Sequence, residues 1–110
     1  MNKTILITGA AKRIGKEIAL TFSHMGWNII IHYNSSKKDA QDLADQINSH
    51  NPKSAKIIQA NLDISSDVQR LVDESKLCFD SIDVLVNNAS TFYPTPIDDI
   101  SEEHWDKLVG

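Results

Sequence analysis

The chain has 110 residues, 41% of them hydrophobic and 24% charged, with a net charge of −4; that size suits one small domain, and that composition excludes a disordered chain. No basic stripe extends beyond Lys37-Lys38 and no run of 18 apolar residues occurs, which argues against nucleic acid and a membrane span. A single cysteine, Cys78, excludes an intrachain disulfide and a thiolate cluster, and the start Met1-Asn2-Lys3 leads into a strand-like segment without the apolar stretch of a signal peptide, so a cytoplasmic protein is expected.

Three times a short apolar run gives way to a stretch with helical spacing, the pattern of βα units. The first strand is expected from Thr4 to Thr8, with Ile5-Leu6-Ile7 continuous because a central parallel strand is covered on both faces. A helix over 13–25 would place Ile14, Ile18, Phe22 and Met25 on one face, with Gly26 as its stop. The second strand covers Asn28 to Tyr33. The second helix starts near Ser36, whose hydroxyl is expected to cap it with Asp39 three residues on, and buries Ala40, Leu43, Ala44 and Ile47 before Asn51-Pro52 ends it.

Ala55 to Ala60 reads as the third strand. Ser65 or Ser66 opens a third helix with Val68, Leu71, Val72 and Ser75 inward and Cys78 as a small buried residue. Ile82 to Val86 is the fourth strand, and Ser101 caps a last helix carrying Trp105, Leu108 and Val109. Right-handed crossovers then give the order 3-2-1-4: an α/β fold, the first half of a Rossmann-like doubly wound parallel sheet. Ligands bind at its switch point, outside the carboxyl ends of strands 1 and 4, where Gly9 to Gly15 and Asn87 to Phe92 fall.

The turn Gly9-Ala10-Ala11-Lys12-Arg13-Ile14-Gly15 follows a strand and opens a helix. Gly9 permits the turn, Gly15 lets helix and strand approach, and the exposed helix amides suit a pyrophosphate. Strand 2 ends Tyr33-Asn34-Ser35-Ser36-Lys37-Lys38, with no acid before Asp39. A carboxylate there would bind ribose hydroxyls; two hydroxyls, a helix start and lysines instead suit a 2′-phosphate, so NADPH is expected over NADH. Ser35, Ser36 and Lys37 are otherwise ordinary cap and surface residues, and Lys12 is either a charge near that phosphate or a solvated side chain. The histidines at 24, 32, 50 and 104 have no metal-ligand spacing, and no metal is expected.

These residues resemble the short-chain dehydrogenase/reductase family, whose turn begins Thr-Gly and whose fourth strand ends Asn-Asn-Ala-Gly. Arg13 stands in place of the middle glycine and Ser90 in place of the last. With His32-Tyr33 and the run from Ala89 to Pro96, these departures are similar to the pteridine reductase branch. That resemblance implies an NADPH-dependent reductase of pterins or dihydropteridines. It implies cofactor contacts from Gly9, Lys12, Arg13, Ile14 and Gly15 in the turn, and from Tyr33, Asn34, Ser35 and Ser36 after strand 2. Asn61 and Leu62, after strand 3, would lie by the adenine, and Asn87, Ala89 and Ser90 by the ribose. Substrate would meet Arg13, Ser90 and Phe92, the last as a stacking face for the pterin.

Family members complete their reaction with a Tyr-x-x-x-Lys pair on a helix beyond strand 5. Residues 1–110 contain no such pair in that context, since Tyr33 and Lys37 lie on different elements. The chain is therefore expected to be an NADP-binding Rossmann half-domain, the amino-terminal portion of such an enzyme, with no catalytic residue of its own. The resemblance implies a homo-oligomer for the full-length enzyme, and an unpaired fourth strand would invite strand-edge association. A dinucleotide-binding module without chemistry, or a carbonyl reductase with another substrate, are the alternatives.

Overall fold

The strand β1 (Thr4–Thr8) is buried at every position, as a strand must be when helices cover both faces of its sheet. A computed structural model describes residues 2–11, 13–88 and 94–95. In it β1 pairs with β2 (Asn28–Tyr33), Leu6 opposite Ile30, and on its other side with β4 (Val84–Asn87), Leu6 opposite Leu85. β3 (Ala55–Gln59) lies outside β2, and all three pairings are parallel. The order β3-β2-β1-β4 is the one the crossover rule gives.

Three helices cover the sheet: α1 (Arg13–His24), α2 (Lys37–His50) and α3 (Ser65–Cys78). Alternation along the strands separates two cores. Ile5, Ile7, Ile29 and Ile31 pack with Ala19 of α1 and Leu43, Ala44 and Ile47 of α2. Leu6, Ile30 and Ile58 pack on the opposite side with Val68 and Leu71 of α3. The stripe expected for α2, Ala40-Leu43-Ala44-Ile47, is the buried one.

Several sequence expectations change. The inner face of α1 is Gly15, Ala19 and Ser23, while Ile14 is 65% and Met25 63% exposed. The close approach at Gly15 lays the small-residue face on the sheet and turns the isoleucine stripe aside, leaving Ile18 and Phe22 only half-buried. Ser36 is the residue before α2, and its carbonyl accepts from Ala40 N–H, but its hydroxyl makes no capping bond. β4 begins at Val84 rather than Ile82, although Ile82 is buried. Finally, β4 has a second neighbour: β5 (Pro94–Thr95) runs antiparallel along it, with Thr95 opposite Leu85 and Pro94 opposite Val86. Proline lacks an N–H and is tolerated on such an outer strand.

Cys78 ends α3 half-buried, and burial pushes its thiol up despite the nearby Lys56. On the outer strand β3, Arg70 donates to the Gln59 carbonyl at 2.8 Å and is held by Glu74 at 2.8 Å and Asp67 at 3.6 Å. Among the described residues no helix is long and apolar enough to cross a membrane, and no group of three or more His, Cys, Asp or Glu could hold a metal.

Candidate functional site

The carboxyl ends of β1, β2, β3 and β4 meet around the turn from Gly9 to Gly15. Gly9 adopts φ +61°, in the left-handed region that glycine enters without a Cβ clash. Gly15 is required for a different reason. A Cβ on it would lie 2.5 Å from the Gly9 carbonyl oxygen, 2.8 Å from Ala10 Cα and 2.8 Å from Asn88 Nδ2. The first turn of α1 is thereby drawn onto the end of β1, with the amides that a helix leaves unbonded directed out of that end.

Arg13 takes the position where the family turn has its middle glycine, and its φ of +55° explains that preference. A non-glycine residue there costs on the order of 1 kcal/mol. The side chain is exposed. Backbone strain of this kind persists only where the surrounding structure holds it in place.

The end of β4 is fastened to the same turn. Asn88 N–H donates to Thr8 Oγ1 at 2.9 Å, and Asn88 Nδ2 donates to the Gly9 carbonyl at 3.2 Å. Thr8 Oγ1 lies 3.1 Å from Asn87 Oδ1 and 3.4 Å from the Val86 carbonyl, either of which can accept its proton. Asn87 is fully buried, so its side chain organises the strand end. Sequence reasoning named Asn87 here but missed Thr8 and Asn88.

It also missed His32. This ring interrupts the Ile29-Ile30-Ile31 run, is 3% exposed, and accepts Gly9 N–H on Nδ1 at 3.0 Å. Its Nε2 donates to the Ala60 carbonyl at 2.9 Å. Burial holds the imidazole below its ordinary range, with the Ala60 bond opposing, so the ring is neutral at pH 7. A buried histidine in an isoleucine strand is the available sequence signal, because buried polar groups need partners.

A cleft beside this ring is lined by His32, Asn34, Ala60, Asn61, Leu62 and Asp63. Asn61 Oδ1 accepts Asp63 N–H at 3.0 Å, and its backbone N–H donates to Asp67, so Asn61 begins the turn. Asn34 is anchored by the Gln59 amide, which lies 3.2 Å from both its oxygens. Ser35 is exposed and Ser36 half-buried beside this rim, whereas Tyr33 is packed in the core with its carbonyl accepting Ala60 N–H. Ile14 stands exposed at the start of α1. Lys12, Ala89, Ser90, Phe92 and Tyr93, and the helix expected from Ser101 with Trp105, Leu108 and Val109, lie outside the described residues.

A parallel sheet whose central strand passes through a glycine turn into a helix, with a cleft across the neighbouring strand ends, defines the Rossmann-like, doubly wound class of α/β domains. The chain belongs to the short chain dehydrogenase family, whose sequence model matches residues 3–110. It is similar to a 3-oxoacyl-[acyl-carrier-protein] reductase FabG of Staphylococcus epidermidis, 35% identical over 109 residues, covering 99% of this chain and 44% of that protein. Pteridine reductase 1 of Leishmania tarentolae is 38% identical, covering 84% of this chain and 38% of that one. The hydroxynaphthalene reductase-like protein Arp2 of Metarhizium brunneum is 34% identical, covering 98% and 40%. The chain thus spans less than half the length of these curated relatives.

Proposed function

We propose that the chain is the cofactor-binding portion of an NADPH-dependent short-chain reductase acting on pterins or dihydropteridines, and that residues 1–110 form an NADP-binding half-domain. The observation that carries the cofactor reading is the glycine cradle. Gly9 takes a left-handed φ and Gly15 lets the first turn of α1 close onto the backbone of Gly9 and Ala10, and a helix start set so tightly on a strand end suits backbone contact with a pyrophosphate. The fit extends along the strand ends, with adenine in the cleft lined by Asn61 and Leu62 and a 2′-phosphate near Asn34, Ser35 and Ser36. Between the end of β2 and Asp39 the chain has no carboxylate to repel that phosphate. The bound nicotinamide supplies hydride; this chain's residues bind it, orient it and exclude water on one side.

The pterin assignment rests on Arg13 at the middle-glycine position, on Ser90 and Phe92 after β4, and on the likeness to a pteridine reductase. The strained φ of Arg13 supports it, since a long cation is kept where glycine is easier. Likeness to 3-oxoacyl-[acyl-carrier-protein] reductases favours a second reading, a carbonyl reductase for an acyl thioester. The cytoplasm is the location proposed, and a homo-oligomer the assembly.

Two measurements test the reading. Calorimetric titration of the chain with NADPH and NADH is expected to favour NADPH, and equal affinity would remove the 2′-phosphate argument. Replacing Phe92 by alanine should weaken binding of an oxidised pterin by roughly 1–3 kcal/mol if its ring stacks; unchanged pterin binding would favour the acyl thioester.

A further inference from the structure

His32, on β2, joins the turn after β1 to the residue after β3. Its Nδ1 accepts the Gly9 amide, its own carbonyl accepts the Ala10 amide at 3.2 Å, and its Nε2 donates to the carbonyl of Ala60. Ala60 is the residue before Asn61 at the cleft. Two successive amides of the phosphate turn are thus fixed from β2, one by a ring and one by backbone. A carbonyl cannot donate and an amide N–H cannot accept, so both ring bonds require one species: neutral imidazole with its proton on Nε2.

We propose that His32 is a positioning residue for the cofactor turn and that protonation of its ring releases Gly9, making dinucleotide affinity fall with acidity. This rests on the cofactor reading above. In the imidazolium both nitrogens are donors, and Nδ1–H would oppose Gly9 N–H across 3.0 Å. The Ala60 bond survives, so the turn loosens while the β3 side stays tied.

Charged groups in the first turns of the surrounding helices are Arg13 and Lys16 of α1, Lys37, Lys38 and Asp39 of α2 and Asp67 of α3, and Asp63 lines the cleft. Asp67 is already bonded to Asn61 N–H and paired with Arg70. Burial dominates the ring's proton affinity and the Ala60 carbonyl opposes it. Neither depends on a side-chain charge.

The test compares wild type, His32→Asn and His32→Leu in NADPH titrations between pH 5 and 8, with folding checked by circular dichroism at each pH. Asparagine keeps an acceptor near the Nδ1 position and does not titrate; leucine keeps none. At pH 7.5 His32→Leu should lose affinity by about tenfold through the unsatisfied Gly9 amide, and His32→Asn should recover most of it. Wild-type affinity should fall more steeply below pH 6.5 than that of His32→Asn, which shares the ligand's own phosphate titration. Equal slopes for wild type and His32→Asn, or full affinity in a folded His32→Leu, would overturn the proposal. If wild type binds neither NADPH nor NADH, the cofactor reading fails by itself. The latch is then decided by nuclear magnetic resonance of the ligand-free chain: a protected Gly9 amide that becomes exchangeable as the ring titrates supports it, and an amide indifferent to that titration refutes it.

Discussion

Gly15→Ala separates a glycine kept for packing from one kept for flexibility. The added Cβ would sit 2.5 Å from the Gly9 oxygen and 2.8 Å from both Ala10 Cα and Asn88 Nδ2, where under 3.0 Å something must move. Relief therefore needs a shift of about half an ångström, and two of the three obstacles are backbone of the turn after β1. Overpacking of this kind costs roughly 1–3 kcal/mol. Against it stands a helix-propensity gain of up to about 1 kcal/mol for alanine over glycine, smaller this near a helix start. The net expectation is a loss of about 1–2 kcal/mol in urea unfolding. NADPH affinity should also fall at least about tenfold, because the displaced atoms carry the cradle. Gly26→Ala is the control: no atom lies within 4 Å of its Cβ position, and only its φ of +87° resists, so it should cost about 1 kcal/mol and leave binding intact. An alanine at 15 that is as stable as wild type, with unchanged affinity, would refute the packing argument.

Arg13→Gly should change urea stability by less than about 1 kcal/mol, since relief of a left-handed φ is offset by greater freedom in the unfolded chain; NADPH binding should persist while pterin reduction by the whole enzyme falls. Leu71→Ala, at a fully buried site against Leu6 and Ile30, should cost about 2–5 kcal/mol in the same assay. For pH, the His32 ring titrates below its ordinary value of 6.5 when folded. Its contribution to stability is then complete above that value and declines as pH falls from 6.5 toward the folded-state value, by at most about 1.4 kcal/mol per pH unit. Unfolding midpoints at pH 7.5, 6.5 and 5.5 should show the decline in wild type and a flatter profile in His32→Asn.

The β1 and β2 limits and the buried stripe of α2 were readable because continuous isoleucines and a four-residue apolar period leave few alternatives. The α1 stripe misled for a physical reason. Hydrophobicity ranks Ile14 and Met25 above Gly15 and Ser23, but the close contact at Gly15 decides which face turns inward. β5 was missed because Pro94-Thr95 carries turn residues, and a two-residue strand has no periodicity to detect. In the site, Gly9, Gly15 and Asn87 were legible from their spacing after strands. Thr8, Asn88 and His32 act through bonds spanning 23 to 80 residues in sequence, which local pattern cannot reveal.

The guanidinium of Arg70 sits on the outward carbonyl of Gln59 and is steadied by carboxylates on its own helix. A foreign β-segment approaching β3 would have to displace that donor and leave it uncompensated before completing its own ladder. This margin of the sheet is therefore blunted against edge-to-edge pairing at Gln59.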